Sequence, residues 1–138
     1  MFVDASVVVA IVNEEPGYQE LEKLLDGAGK LYVSPLVKFE AVAALARLHG
    51  GENKPRRAEV FNEARAVVEA FFAALAAKEI VIDGKIGGAA LDAMATYGRL
   101  AGHPAALNFG DCFSYAAAQT YRLKLAYKGD DFAQTDLA

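Results

Sequence analysis

The 138-residue sequence has no tryptophan, one cysteine, two histidines and only four prolines. A single cysteine, Cys112, cannot close an internal disulfide, which predicts a reducing, cytoplasmic setting. No run approaches the roughly 18 consecutive apolar residues that a membrane span needs, so no membrane partner is implied. The opening Met-Phe-Val-Asp lacks a basic start and a small-residue cleavage site, which predicts no signal peptide. Positive charge is scarce too. Fourteen Lys and Arg against eighteen Asp and Glu leave a net charge of −4, which argues against a broad basic face coating nucleic acid. No glycine-rich phosphate loop and no Ser-His-Asp order with a nucleophile elbow occurs.

What is present is a strongly apolar chain, 54% hydrophobic with a mean hydropathy of +0.18. That suffices to bury a core and predicts one compact domain over residues 1–138. The apolar run Met1–Val3 reads as a strand. Ala5–Val12 continues it to the break at Asn13–Gly17, and Tyr18–Leu25 reads as a helix. Leu31–Val33 is a second strand, and Ser34-Pro35 supplies an N-cap and first-turn proline for a helix reaching about His49. Pro55 to Lys78 reads as a long alanine-rich helix burying Phe61, Val68, Phe71, Phe72 and Leu75. A third strand is expected at Glu79–Ile82, helices at 86–101 and 112–122, and a fourth strand at Leu123–Tyr127. Apolar strands alternating with helices imply a parallel sheet covered on both faces, a three-layer α/β/α sandwich of four or five strands. Sites in such sheets form at the carboxyl ends of the strands.

Acids cluster at those ends. Asp4 follows the first strand inside an apolar run, where an ionised carboxylate is costly unless paired or metal-bound; its ordinary explanation is a helix N-cap. Glu40 borders the buried face of its helix, and the ordinary reading there is a surface pair with Arg47. Asp111 opens the helix beginning at Cys112, again as an ordinary N-cap. Asp130 and Asp131 follow the fourth strand across Gly129. Each acid alone has a structural explanation. Together they can meet on one rim of a parallel sheet, where they would repel unless a cation compensated. Oxygen-only ligands favour Mg²⁺, with Mn²⁺ as a substitute, and a solvent-open divalent ion among carboxylates suits phosphodiester hydrolysis.

Four segments carry a resemblance to a known family: Met1 to Ser6, Ser34 to Glu40, His103 to Ala116 and Tyr127 to Phe132. In these the chain resembles the PIN-domain ribonucleases, specifically the VapC toxins of type II toxin–antitoxin pairs, over nearly its whole length. The resemblance implies metal-dependent RNA cleavage, a homodimer and inhibition by a cognate VapB antitoxin. By position, Asp4, Glu40 and Asp111 match the best-defined acids, with Asp4 and Asp111 as direct metal ligands. Asp130 is favoured over Asp131 as the fourth, and Ser6 and Asn108 are supporting positions. Lys128 stands where the family often has threonine.

Other features compete. His49 and His103 are candidate bases, His103 also a turn-capping or RNA-contacting group, and Cys112 reads as packing. Lys38, Arg47, Lys54, Arg56 and Arg57 form the densest basic group, either a solvated helix face or a rim for phosphate or an antitoxin tail. A phosphorylatable receiver domain is a rival, with Asp83 as acceptor and Lys124 or Lys128 beside it. A non-catalytic binding module descended from a nuclease is another.

Overall fold

The computed structural model describes residues 1–49, 55 and 57–138. Among the described residues, four strands form one parallel sheet: β1 (Phe2–Val3), β2 (Tyr32–Val33), β3 (Lys78–Glu79) and β4 (Leu125–Ala126), in the order β3-β2-β1-β4. Between them run α1 (Ala5–Val12), α2 (Tyr18–Asp26), α3 (Pro35–Leu48), α4 (Ala58–Ala74), α5 (Gly84–Tyr97) and α6 (Phe109–Thr120). Neighbouring residues of a strand point to opposite faces of the sheet. Phe2 and Val3 are both fully buried, as is Ala126, with Leu125 nearly so, so helices cover both faces and the expected three-layer sandwich is present. α6 packs on β1 and β4 and joins α3 and α5, which places α3 and α6 side by side over the strand ends.

The chain leaves β1 toward β2 on one side and returns from β3 across the sheet to β4 on the other. The direction of winding therefore reverses beside β1, where open α/β sheets form their sites. Asp4 is the first residue after β1 and caps α1.

Several boundaries differ from those the sequence predicts. The third strand is Lys78–Glu79, not Glu79–Ile82. The ladder with β2 ends as Ile80 donates its N–H to Val33 O at 2.9 Å, and Val81, beyond the edge, is 73% exposed. A charged Lys-Glu pair on an edge strand discourages pairing with another sheet. The predicted helix 86–101 is α5 followed by a separate 3-10 turn, Arg99–Ala101. The break falls at Gly98, where any Cβ would collide with the carbonyl of Met94. The long helix is shorter than predicted at both ends, and the left-handed Ala76 (φ 47°) follows its end. Val68 and Phe72 are buried there as expected, whereas Phe61 is exposed. The fourth strand contracts to two residues. Gly50 and Gly51, the glycine pair expected to stop the helix that reaches His49, lie outside the described residues, as do Lys54 and Arg56.

Candidate active site

Asp4 is buried, and both its oxygens are held by hydroxyls. Ser6 Oγ donates to Asp4 Oδ2 at 2.6 Å, with the Ser6 N–H adding a bond to the same oxygen at 3.0 Å. Ser114 Oγ, itself buried, donates to Oδ1 at 2.7 Å. Ser6 Oγ also accepts from the Lys128 N–H at 3.0 Å, tying the start of α1 to the loop after β4. The carboxylate expected to sit in an apolar run is thus fixed from two sides, and each oxygen retains acceptor capacity.

Asp111 is not the N-cap that the sequence predicts. Asn108 takes that place, because α6 begins three residues earlier than expected. Asn108 Oδ1 accepts from the Asp111 N–H at 2.9 Å, while Asp111 Oδ2 accepts from the Asn108 N–H at 2.9 Å. This reciprocal capping box fixes one oxygen of Asp111 at the positive end of the helix.

Glu40 lies on the second turn of α3, a helix started by the buried Ser34 hydroxyl on the Val37 N–H. Its carboxylate rests directly on Gly110, in the space that any Cβ at that position would occupy. Its Oε1 is buried with no hydrogen-bond partner. Burial first, then the charges of Asp4 and Asp111, push its pKa from 4.5 to about 7. Asp111 is likewise raised from 3.8 to about 6. Burial is the main cause, opposed by the Asn108 backbone bond and Arg99, and reinforced by Asp4 and Asp131. These mutual effects bring Asp4, Glu40 and Asp111 into one electrostatic group.

The loop after β4 is exposed, and both Asp130 and Asp131 lie on it. Of the two, Asp131 contributes to the raised pKa of Asp111. Asp131 is helical in backbone and opens the 3-10 turn Phe132–Gln134, and the Asp130 carbonyl accepts from the Ala133 N–H at 3.1 Å.

A cleft of about 590 Å³ opens beside this group, lined among others by Ser6, Glu15, Phe39, Glu40, Arg47, Asn108 and Lys128. Lys128 Nζ meets Glu15 Oε2 there at 2.6 Å. Among the described residues, no three acids already stand close enough to share one ion. The donor set nonetheless fits a hard divalent cation: it consists of carboxylate oxygens, one of them on Glu40 buried and unpartnered, and burial followed by the neighbouring acids raises the pKa values of Glu40 and Asp111.

Ser114 and Gly110 were missed in the sequence. Ser114 follows Asp111 by three residues, one turn along a helix of alanines and aromatics, which is the available signal for a buried hydroxyl on the acid-bearing face. Gly110 shows as a glycine inside a helix start that needs none for its turn.

The competing features resolve locally. His103 Nδ1 accepts from the Ala105 N–H at 3.1 Å and its ring packs edge-on against Tyr97, a turn-capping role. His49 caps the end of α3 through its backbone. Burial and the charge of Asp111 push the Cys112 thiol up, away from the thiolate a nucleophile needs. Lys38 pairs with Glu79 at 2.5 Å. Asp83 caps α5 by accepting from the Ile86 N–H at 3.0 Å, the structural role that competes with phosphoacceptor chemistry. No helix among the described residues is long and apolar enough to cross a membrane.

Comparison with known proteins bears on the family and the fold. A family model described as the PIN domain matches residues 1–137. A VapC ribonuclease of Rhizobium meliloti is 61% identical over 139 residues, covering 99% of this chain and 98% of that protein. The Mycobacterium tuberculosis ribonuclease VapC42 is 34% identical over 137 residues, covering 99% and 96%. The crystal structure of Mycobacterium tuberculosis VapC20, titled a sarcin-ricin loop cleaving toxin, superposes with a TM-score of 0.72 at 16% identity, covering 96% of this chain and 92% of that one, and so supports the fold. The match over almost the whole chain excludes the receiver-domain reading. The chain belongs to the PIN-domain family, in its VapC branch.

Proposed function

We propose that this chain is the ribonuclease toxin of a toxin–antitoxin pair, hydrolysing a phosphodiester bond of RNA with the help of Mg²⁺, for which Mn²⁺ can substitute. The observation that carries the reading is the buried, unpartnered Glu40 Oε1 grouped with Asp4 and Asp111 at the carboxyl end of β1. The relatives named as VapC ribonucleases support it.

Asp4 and Asp111 are the proposed direct ligands, joined by Asp131 in preference to Asp130. Glu40 completes the set directly or through a water that it orients. A divalent ion bound there supplies positive charge to the scissile phosphate and lowers the pKa of an attacking water. The protein's own part is placement. The Ser6 and Ser114 hydroxyls hold Asp4 in one orientation, and the capping box holds Asp111. Glu40, raised in the metal-free site by burial and by the charges of Asp4 and Asp111, is the carboxylate that gains most from a bound cation.

A cognate VapB-like antitoxin, a homodimer and a cytoplasmic location complete the proposal. A solved toxin–antitoxin complex from Klebsiella pneumoniae shares the fold, with a TM-score of 0.66 at 17% identity over 99% of this chain and 92% of that one. An apolar groove of about 460 Å³ between α5 and α6, with exposed Leu91, Leu100 and Phe109 on its walls, favours protein partners.

The test is RNA cleavage by purified protein with Mg²⁺, with EDTA, and with Asp111→Asn. Cleavage is expected only in the first. Equal cleavage in all three removes the metal mechanism, and Mg²⁺-independent RNA binding without cleavage favours a non-catalytic module.

A further inference from the structure

Phe39 is 75% exposed, although nothing in the helix requires an aromatic there. The buried stripe of α3 is Val37, Ala41 and Leu45. Two residues along a helix turn the side chain by about 200°, which sends Phe39 away from that stripe. Exposing a large aromatic forgoes its burial energy, so its placement calls for a reason. Other exposed apolar side chains, such as Leu100 and Val81, do not line the acid-bearing cleft, and the exposed ring of Phe109 already packs on Phe113 at 5.1 Å. Phe39 stands on the cleft wall next to Glu40, and the same cleft carries the cationic side chains of Arg47 and of Lys128, the latter paired with Glu15.

An aromatic face beside cations and a carboxylate group matches the chemistry of an unpaired nucleotide, with the base on the ring and the phosphates on the cations. We infer that Phe39 is the platform on which a nucleobase next to the scissile phosphate stacks. This rests on the ribonuclease reading above and adds a residue that selects unstacked over paired RNA. Stacking that is equal in the ground and transition states acts on KM and leaves kcat unchanged.

The sequence contains no tryptophan, so Phe39→Trp creates a single indole reporter at the site. In EDTA, a short single-stranded RNA is expected to quench its emission saturably, and a blunt duplex of the same sequence to quench it at least tenfold more weakly. With Mg²⁺, Phe39→Ala should raise KM for a single-stranded substrate by roughly 5- to 100-fold, the range that base stacking supplies, with kcat within about twofold. Phe39→Tyr should restore KM and Phe39→Leu should not. An unquenched indole, or Phe39→Leu equal to wild type, overturns the inference. So does a Phe39→Ala protein that cleaves normally but no longer self-associates on gel filtration, because that places a second protein on the ring. Wild-type protein that neither binds nor cleaves RNA refutes the ribonuclease reading itself. Circular dichroism of each variant confirms the fold, which an exposed side chain should scarcely affect.

Discussion

Replacing Glu40 with glutamine should stabilise the metal-free protein while abolishing cleavage. The carboxyl is raised from 4.5 to about 7, so the folded state holds its proton more tightly than the unfolded state does. Its contribution is favourable or neutral below about pH 4.5, falls as pH rises toward 7, and is a constant cost above that. At about 1.36 kcal/mol per unit, the full shift corresponds to roughly 3 kcal/mol. Partial solvent access and screening reduce this to about 1–2 kcal/mol. A neutral amide of the same shape removes the charge, and with it the repulsion from Asp4 and Asp111. In EDTA near pH 8, Glu40→Gln should therefore melt roughly 3–8 °C above wild type. Near pH 4.5, where the wild-type side chain is itself neutral, the two should converge. Added Mg²⁺ should raise the wild-type melting temperature more than that of the variant, because ligand binding stabilises only the state that binds. Melting curves by circular dichroism at the two pH values decide the matter. A variant less stable than wild type at pH 8, or a difference that does not change with pH, refutes the assignment of Glu40 as an uncompensated buried charge.

Gly110→Ala should leave the fold intact, because the atoms in its way are the far end of a flexible glutamate, yet displace the Glu40 carboxylate. A melting temperature within a few degrees of wild type with at least tenfold lower cleavage is expected, and unchanged cleavage would show that Glu40 need not sit there. Asp131→Asn should reduce cleavage far more than Asp130→Asn, since Asp131 is the acid of this loop whose charge contributes to the raised pKa of Asp111; parallel rate measurements showing the reverse order restore Asp130 to the site. Ser114→Ala removes a buried donor from Asp4 and should cost about 1–3 kcal/mol of stability at neutral pH. It should also weaken Mn²⁺ binding by calorimetry, and unaltered affinity would mean that Ser6 alone orients Asp4.

The sequence shows the alternation of strands and helices because each element here announces itself locally. Pro35 follows a serine that caps α3, and Asp4 and Asp83 cap the helices after them. The acids are legible for a related reason: Asp4 follows β1 directly, and Glu40 and Asp111 lie in the opening turns of helices beside the same rim. What failed was fine position. Asn108 and Asp111 are three residues apart and both can cap; only the reciprocal bonds of the capping box decide that the asparagine begins the helix. The run Ile80-Val81-Ile82 reads as a strand by composition, yet β2 ends at Val33, whose carbonyl takes the Ile80 N–H as the last bond of the ladder, so the pairing register overrides propensity. Ser114 and Gly110 carry little signal in the sequence beyond their spacing from Asp111, because their importance arises only when α6 crosses β1 and meets α3. A hydroxyl in a helix of alanines and a glycine beneath a glutamate are ordinary until the sheet brings residues 110 positions apart into one hydrogen bond. The chemistry of the site is therefore carried by acids that one strand end and two helix starts place, and its geometry by small residues that the contact between helices selects.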